Sequence, residues 1–200
     1  MKHLKILGLA AVGAAALMAL AGASTASADE LCTEPAVSNM CPAGKQITSV
    51  EASSIASLTL KTTGGTALVT CSGASLHTKS INQGTGVSPI TATGGTPEVS
   101  GCNTTLDTLN SGTTRAEAGA GGGTTLTSIG GEVTLQLFGV SCTYGSGSGT
   151  DFGEANTSGE LPTFNRTVNK TAGGGLCPST ALLEAGFKMT NHNAIHYITN

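Results

Sequence analysis

Alternation of apolar and polar side chains is clearest over residues 132–144. Val133, Leu135 and Leu137 alternate with polar residues, which is the period of a strand with one buried face. The phase flips at Phe138, beside a glycine, and the alternation then resumes on the other side. A slip of one residue at a glycine is typical of a β-bulge or a tight hairpin. This stretch therefore predicts the central strand pair of the fold.

Shorter segments of the same kind recur along the chain, separated by turns rich in Gly, Ser and Thr. The segments predicted as strands are 47–52, 55–60, 67–71, 76–79, 89–93, 163–168, 183–190 and 195–198. Evenly spaced short strands without a long helix predict an all-β protein. The expected fold is a disulfide-stapled antiparallel β-sandwich of Greek-key or jelly-roll type, and a β-barrel is the alternative.

The N-terminal residues 1–28 predict a secretory signal peptide. A short cationic start precedes an almost unbroken apolar stretch at 6–22, and Ala26 and Ala28 are the small residues that signal peptidase requires. We expect cleavage before Asp29, which predicts a secreted protein with no stable membrane anchor after cleavage. An uncleaved anchor helix is the alternative, although the apolar stretch is short and Ala-rich for a membrane span.

Residues 29–200 are predicted to form one all-β domain, with a flexible joint near 116–123, where Gly and Ala predominate. Large side chains are scarce, since the sequence has no Trp, 2 Tyr and 4 Phe. A light core buries little apolar surface, worth ~25 cal/mol per Å², against the entropy of the chain. Covalent cross-links are the expected compensation.

Six cysteines supply those cross-links. Their number is even, all follow the predicted signal peptide, and export places them in an oxidising environment. Many pairings are possible and the sequence alone does not choose among them. The sequential pairing is the one predicted: Cys32–Cys41, Cys71–Cys102 and Cys142–Cys177. No Cys-x-x-Cys or short Cys/His spacing is present, so no metal site is predicted.

Charge excludes one class of partner. After loss of the two signal-peptide lysines, 7 basic and 12 acidic residues remain, a net charge of −5 without a basic cluster. Nucleic-acid binding needs grouped Lys and Arg, so no nucleic-acid partner is expected. The partner remains unknown; another extracellular protein or a cell-envelope component is the expected class.

Catalytic motifs are not recognisable. There is no Gly-x-Ser-x-Gly elbow. We expect surface positions for the three histidines His77, His192 and His196. The last two stand ~13 Å apart on a strand, which argues against a shared metal ion. We therefore predict no catalytic residue and no cofactor. A secreted carboxylate-dependent hydrolase is an alternative, which needs two acids to converge. The candidate acids are Glu98, Asp107, Glu132, Asp151, Glu154, Glu160 and Glu184.

The loop closed by the first two cysteines is the candidate contact surface, through Pro35, Val37, Asn39 and Met40. A closed loop loses little conformational entropy on binding. The leading hypothesis is a secreted, non-enzymatic protein that acts by binding or structural contact. An extracellular protease inhibitor is an alternative, and a plain N-terminal staple is another interpretation of the loop.

Several of these marks occur together: an Ala-rich signal, an early Cys-pair loop, strands that end in Thr70-Cys71 and Ser141-Cys142, and a Gly-rich turn at 174–179 that contains Cys177. In this combination the chain resembles a family of exported actinobacterial six-cysteine proteins, rich in Thr and Gly, with no assigned activity. The resemblance implies a secreted, disulfide-stapled β domain. It implies no catalytic or binding residue.

Overall fold

The protein is known from a computed structural model that describes residues 28–78, 80–85, 87, 89–93, 95–110, 112–119 and 123–199. The predicted signal peptide lies outside the described residues except for Ala28. Every strand pairing in the described residues is antiparallel, and none of these residues is helical. The all-β prediction is therefore confirmed.

Seventeen strands make up the described fold. The sequence favours them because short β-branched and apolar segments alternate with turns. In chain order they are β1 (Ala28–Cys32), β2 (Glu51–Ser54), β3 (Leu58–Thr62), β4 (Ala67–His77), β5 (Ser80–Asn82), β6 (Gly84–Thr85), β7 (Ile90–Thr93), β8 (Thr96–Cys102), β9 (Leu106–Asn110), β10 (Thr113–Ala118), β11 (Thr124–Ile129), β12 (Glu132–Leu137), β13 (Val140–Gly145), β14 (Thr150–Ala155), β15 (Glu160–Gly173), β16 (Thr180–Met189) and β17 (His196–Ile198).

The largest sheet has nine strands. β8 pairs with β4, and β4 pairs with both β2 and β3. These two short strands occupy successive stretches between β4 and β16, and the sheet continues through β15, β13 and β12 to β9. The two edge strands of this sheet are therefore β9 and β8.

The large sheet curls back on itself. β8 ends at Cys102 and β9 begins at Leu106, yet the two strands are opposite edges of the sheet. Four residue steps reach at most ~14 Å, whereas this many strands laid flat are ~34 Å wide at ~4.8 Å per strand. The edges must therefore approach each other at this corner. The Asn103 N–H donates to the Thr70 carbonyl on β4 (3.0 Å) and holds the connection there.

Two smaller sheets complete the described fold: β14-β11-β10-β7-β5 and β17-β1-β6. The five-stranded sheet packs on the large sheet where the rings of Phe152 and Phe164 stack, with centroids 5.0 Å apart. The arrangement is sandwich-like, with the main core inside the curled sheet. Its buried residues are Leu60, Val69, Cys71, Leu135, Leu137, Cys142, Tyr144, Val168, Cys177 and Ala181.

The strand pair predicted at 132–144 is a tight hairpin of β12 and β13, with Leu135 opposite Cys142. Phe138 (φ 52°) and Gly139 (φ 77°) form its two-residue turn, and two positive φ values in succession are the geometry of a type I′ turn. The phase slip in the sequence is therefore the hairpin turn. The pair lies next to the edge strand β9, so it is off-centre in the sheet.

Several predicted strands have different bounds in the structure, and those at 47–52 and 55–60 begin only at Glu51 and Leu58, as β2 and β3. Segments 67–71 and 76–79 were expected as separate strands, but β4 runs continuously over Ala67–His77 and residue 79 lies outside the described residues. Pairing with β8 over Cys71–His77 satisfies the backbone across Ser72 and Gly73, which by composition favour a turn. Sheet neighbours outweigh local turn preference here.

The segment 116–123 also differs in part from its expected loop structure. Ala116–Ala118 belong to β10 and pair with Thr124–Leu126. The Gly119 N–H donates to the Gly123 carbonyl (2.9 Å) and closes the hairpin. Residues 120–122 lie outside the described residues, so the flexible joint stays a prediction.

Candidate functional site

The Cys32–Cys41 loop is a small hairpin tied to the fold at its base. Its disulfide joins the fully buried Cys32 to Cys41, which is the pairing predicted from the sequence. The Glu30 carboxylate accepts a hydrogen bond from the Cys41 N–H (2.9 Å), and the Thr33 N–H donates to the Lys45 carbonyl (2.9 Å). The base of the loop is therefore fixed by a covalent bond, one side-chain hydrogen bond and one backbone hydrogen bond.

The tip of this loop is a two-residue turn. Val37 and Met40 exchange backbone hydrogen bonds of 3.0 and 3.2 Å across Ser38 and Asn39. Both central residues have positive φ, 53° and 60°, as a type I′ turn requires. Asn adopts this conformation more readily than most residues, which explains Asn39 at this position. The backbone of the tip is ordered by its own hydrogen bonds.

The tip presents apolar side chains to solvent. Val37 is 64% exposed and Met40 57%, and Pro35 and Asn39 are exposed beside them. Lys45 pairs with Glu34 at 2.5 Å along one flank. An apolar tip with a polar flank, held on a closed loop, is chemically suited to contact with another macromolecule.

A second exposed apolar pair was not recognised in the sequence. Phe138, at the turn of the β12–β13 hairpin, is 90% exposed, and Leu176 is 64% exposed. The disulfide Cys142–Cys177 joins the strand after Phe138 to the turn that carries Leu176. Alternation groups Phe138 with Val140, Cys142 and Tyr144, and only the turn geometry shows that its side chain is exposed.

An apolar cavity of about 150 Å³ lies inside the curled sheet. Nearly all the strands of that sheet and three strands of the five-stranded sheet contribute to its lining. The apolar residues around it include Leu58, Leu76, Val99, Leu106, Leu109, Val133, Phe152, Leu183 and Phe187, all of them only partly buried. Side chains that face inward and still retain accessible surface indicate a hollow interior, because a close-packed core leaves few voids.

Tyr144 places a buried hydroxyl group beside this cavity. The side chain is only 1% exposed, and its hydroxyl has no hydrogen-bond partner among the described residues. Burial raises the pKa of Tyr144, so the hydroxyl keeps its proton. Tyr144 is therefore a buried hydrogen-bond donor without an acceptor, an arrangement that costs ~1–3 kcal/mol.

The cavity borders the seam between the two edges of the curled sheet. In the described residues, β8 and β9 have no strand bonded to their outer sides, and both contribute to the lining. Glu98 and Glu132 also border the cavity, but they alternate with the cavity-lining Val99 and Val133, so their side chains lie on the outer face of the sheet. There the Glu132 carboxylate accepts a hydrogen bond from the Thr171 hydroxyl (3.1 Å).

The other five candidate acids lie on four strands, and the side chains of three of them have partners of their own. Asp107 accepts hydrogen bonds from Gln136 and Ser141, and Glu184 pairs with Lys61. The remaining three are Asp151 and Glu154 on β14 and Glu160 on β15. Among the seven, the cavity lining brings together only Glu98 and Glu132.

The histidines lie near the surface of the described fold. His77 Nδ1 lies 3.8 Å from a Glu51 carboxylate oxygen with both side chains about half exposed. His192 Nε2 lies 3.1 Å from the Ser49 carbonyl, and His196 is in β17. Three potential ligand atoms do cluster at Glu30, Cys32 and Cys41. Both sulfurs are bonded to each other there, so they are not available as thiolate ligands.

The other two disulfides, Cys71–Cys102 and Cys142–Cys177, lie in the core of the curled sheet and follow the expected pairing. Three disulfides fit an extracellular protein. The described residues contain no helix with the length and apolar character to cross a membrane. Comparisons of the chain with protein-family models, with curated proteins and with solved structures gave no match. The resemblance to an exported actinobacterial family stays a prediction.

Proposed function

We propose that the protein is exported and acts outside the cell by binding, with the Cys32–Cys41 loop as its contact surface. One observation carries the proposal: the loop holds Val37 and Met40 exposed on a closed, hydrogen-bonded turn. The partner is another extracellular protein or a component of the cell envelope. The predicted signal peptide and three disulfides support action in an oxidising compartment.

Rigidity is the physical basis of the contact. A flexible segment loses conformational freedom when it binds, at ~0.5–1.5 kcal/mol for each immobilised side chain and more for an unfixed backbone. The loop has already lost its backbone freedom through the disulfide and the Val37–Met40 hydrogen bonds. Burial of two exposed apolar side chains then contributes to affinity with little opposing entropy.

The two alternative functions have less support. Hydrolysis by paired carboxylates needs two acids at a defined spacing, whereas five of the seven candidates lie away from the cavity and three of these are bonded to other groups. Protease inhibition by a substrate-like loop needs an extended segment, and the loop tip turns sharply at Ser38 and Asn39. Both features favour contact over catalysis or substrate mimicry.

The test is binding of the mature chain, residues 29–200 with a C-terminal biotin tag, to intact cells of the source organism and to their isolated envelopes. We expect saturable binding that falls at least tenfold in the double variant Val37→Ser/Met40→Ser. The matched control is Ile55→Ser, which removes another exposed apolar side chain (45% exposed) away from the loop. Its binding should equal that of the wild type.

Equal binding by the loop variant and the wild type contradicts a contact through the loop. Absence of saturable binding to cells, envelopes and the proteins of the culture medium contradicts the binding function itself. A subtilisin-type protease assay runs in parallel. Stoichiometric loss of protease activity, abolished in the loop variant, would establish the inhibitor alternative instead.

A further inference from the structure

We propose that the cavity inside the curled sheet binds a compact, uncharged apolar molecule that carries one hydrogen-bond acceptor. This site is separate from the Cys32–Cys41 loop, and its occupancy does not depend on the proposed contact function. The lining, the volume and the Tyr144 hydroxyl each restrict the ligand.

The volume and the lining define the apolar part of the ligand. Cavities of ~150 Å³ lined by aliphatic and aromatic side chains stay dry and accept ligands of the size of benzene. The cavity here has about that volume, and its wall is built from side chains such as Leu106, Val133 and Leu183. A single ring or a short branched chain fits this space.

The hydroxyl of Tyr144 defines the polar part. It is buried beside the cavity and has no hydrogen-bond partner in the described residues. A ligand oxygen that accepts this hydrogen bond satisfies the donor at no cost to another protein contact. Such a bond contributes ~1 kcal/mol to binding. A ligand with the oxygen should therefore bind about fivefold more tightly than a ligand of the same shape without it.

The lining of the cavity excludes anions. The described residues around the cavity include no Lys or Arg. An anionic ligand loses its hydration in an apolar space that offers no opposite charge. A ketone, ether or ester therefore fits the site, and a carboxylic acid in its ionised form does not.

The seam between β8 and β9 supplies the entry path. The two edges meet where residues 103–105 join them, and they are not hydrogen-bonded to each other in the described residues. Separation of unpaired edges breaks no ladder hydrogen bonds, so the seam can widen at low cost. Leu76, Pro97 and Leu109 lie along this side of the cavity.

The experiment compares three probes of similar shape: toluene, acetophenone and benzoate. Binding to the mature chain is followed by methyl NMR, which reports directly on Val99, Leu106 and Val133. We expect toluene to shift these methyl signals, acetophenone to bind about fivefold more tightly than toluene, and benzoate to leave them unchanged. Tyr144→Phe should remove the preference for acetophenone while toluene binding persists.

Val133→Phe fills the cavity and should weaken binding of both neutral probes at least tenfold. Leu176→Phe introduces a phenylalanine at an exposed site outside the cavity lining and serves as the matched control. If Val133→Phe fails to fold, Ala74→Leu fills the cavity from β4, where Ala74 also lines it. Absence of methyl shifts with both neutral probes overturns the site, and so does binding that the filled variant retains.

The remaining outcomes test the parts of the proposal. Benzoate binding as tight as that of acetophenone overturns the requirement for an uncharged ligand. A preference for acetophenone that survives Tyr144→Phe overturns the assigned hydrogen bond. Neither result depends on the cell-binding experiment with the loop variants, so the two proposals can fail separately.

Discussion

The Tyr197 hydroxyl donates a 2.8 Å hydrogen bond to Oδ2 of Asp29, across 168 residues of sequence. Asp29 is only 4% exposed and belongs to β1, and Tyr197 belongs to β17, its antiparallel partner. Asp29 is also the residue at which the mature chain is predicted to begin. The bond therefore joins the first and last strands of the described fold at the position where the predicted signal peptide ends.

Alkaline pH should destabilise the protein through this pair. Burial, and secondarily the hydrogen bond to Asp29, raise the pKa of Tyr197 above its usual value. The folded state thus favours the neutral phenol, and this contribution to stability is complete below the pKa of an unfolded Tyr, about 10. The free energy of unfolding should be level near neutral pH and fall above about pH 10, as urea denaturation at pH 7, 9 and 10.5 can measure.

Tyr197→Phe is the matched variant for that prediction. At pH 7 it should lower the free energy of unfolding by ~1–3 kcal/mol, because the buried Asp29 carboxylate loses its donor. It should also reduce the alkaline decline, with a remainder from Tyr144, whose pKa burial also raises. An unchanged alkaline decline in Tyr197→Phe would contradict the assignment.

The disulfides should differ in their effect on stability. Cys142–Cys177 spans 35 residues and Cys32–Cys41 spans 9. On the chain-entropy model, a longer closed loop restricts the unfolded chain more, which gives ~4 kcal/mol for the former and ~2.5 kcal/mol for the latter. We expect the paired Cys→Ala variants to follow this order in guanidinium denaturation. The reverse order would mean that native packing around Cys32 outweighs chain entropy.

Phe138→Asn should stabilise the β12–β13 hairpin by about 1 kcal/mol. Phe138 has a φ of 52° and a ring that is 90% exposed, so the substitution relieves a left-handed conformation and loses little packing. Thermal unfolding measures the gain. The control is Gly139→Ala at the next position, where φ is 77° and a Cβ is strained, so stability should fall. A loss of stability in Phe138→Asn would mean that the ring has a contact in solution.

Leu135→Ala should lower the free energy of unfolding by ~2–5 kcal/mol. Leu135 has no exposed surface and lies in the main core opposite Cys142, so truncation leaves a cavity there. Leu176→Ala removes the same atoms from an exposed site and should change stability by less than ~0.5 kcal/mol. Equal losses in the two variants would contradict the core position of Leu135.

The sequence pattern correctly predicted the strands whose formation follows local alternation of apolar and polar residues. The slip at Phe138 became a hairpin turn, and the alternation of Leu183, Ala185 and Phe187 became part of β16. The Cys32–Cys41 loop was also recognisable, because the spacing of its two cysteines permits a short closed hairpin. The exposure of Phe138 was not predicted, since alternation does not distinguish a turn residue from a strand residue.

Composition suggested the wrong local structure where pairing with neighbouring strands determines it. Ser72 and Gly73 favour a turn by themselves, yet they lie within β4 because β8 pairs along it. Ala116 is similar: a Gly/Ala-rich context suggests a loop, but the residue is buried and pairs with Leu126. Backbone hydrogen bonds to distant strands satisfy these groups, and such partners leave no mark in a local window of sequence.

By itself, the sequence determined the class of the protein, since β-branched and Gly-rich segments without helical periodicity form short strands, and six cysteines after a predicted export signal favour disulfides. Only the tertiary structure decided that the large sheet curls, that its edges meet at Cys102 and Leu106, and that a hollow with Tyr144 beside it remains inside. A cavity arises from how well side chains from many strands fill a shared volume. That fit depends on distances between residues far apart in the chain, which periodicity and composition do not encode.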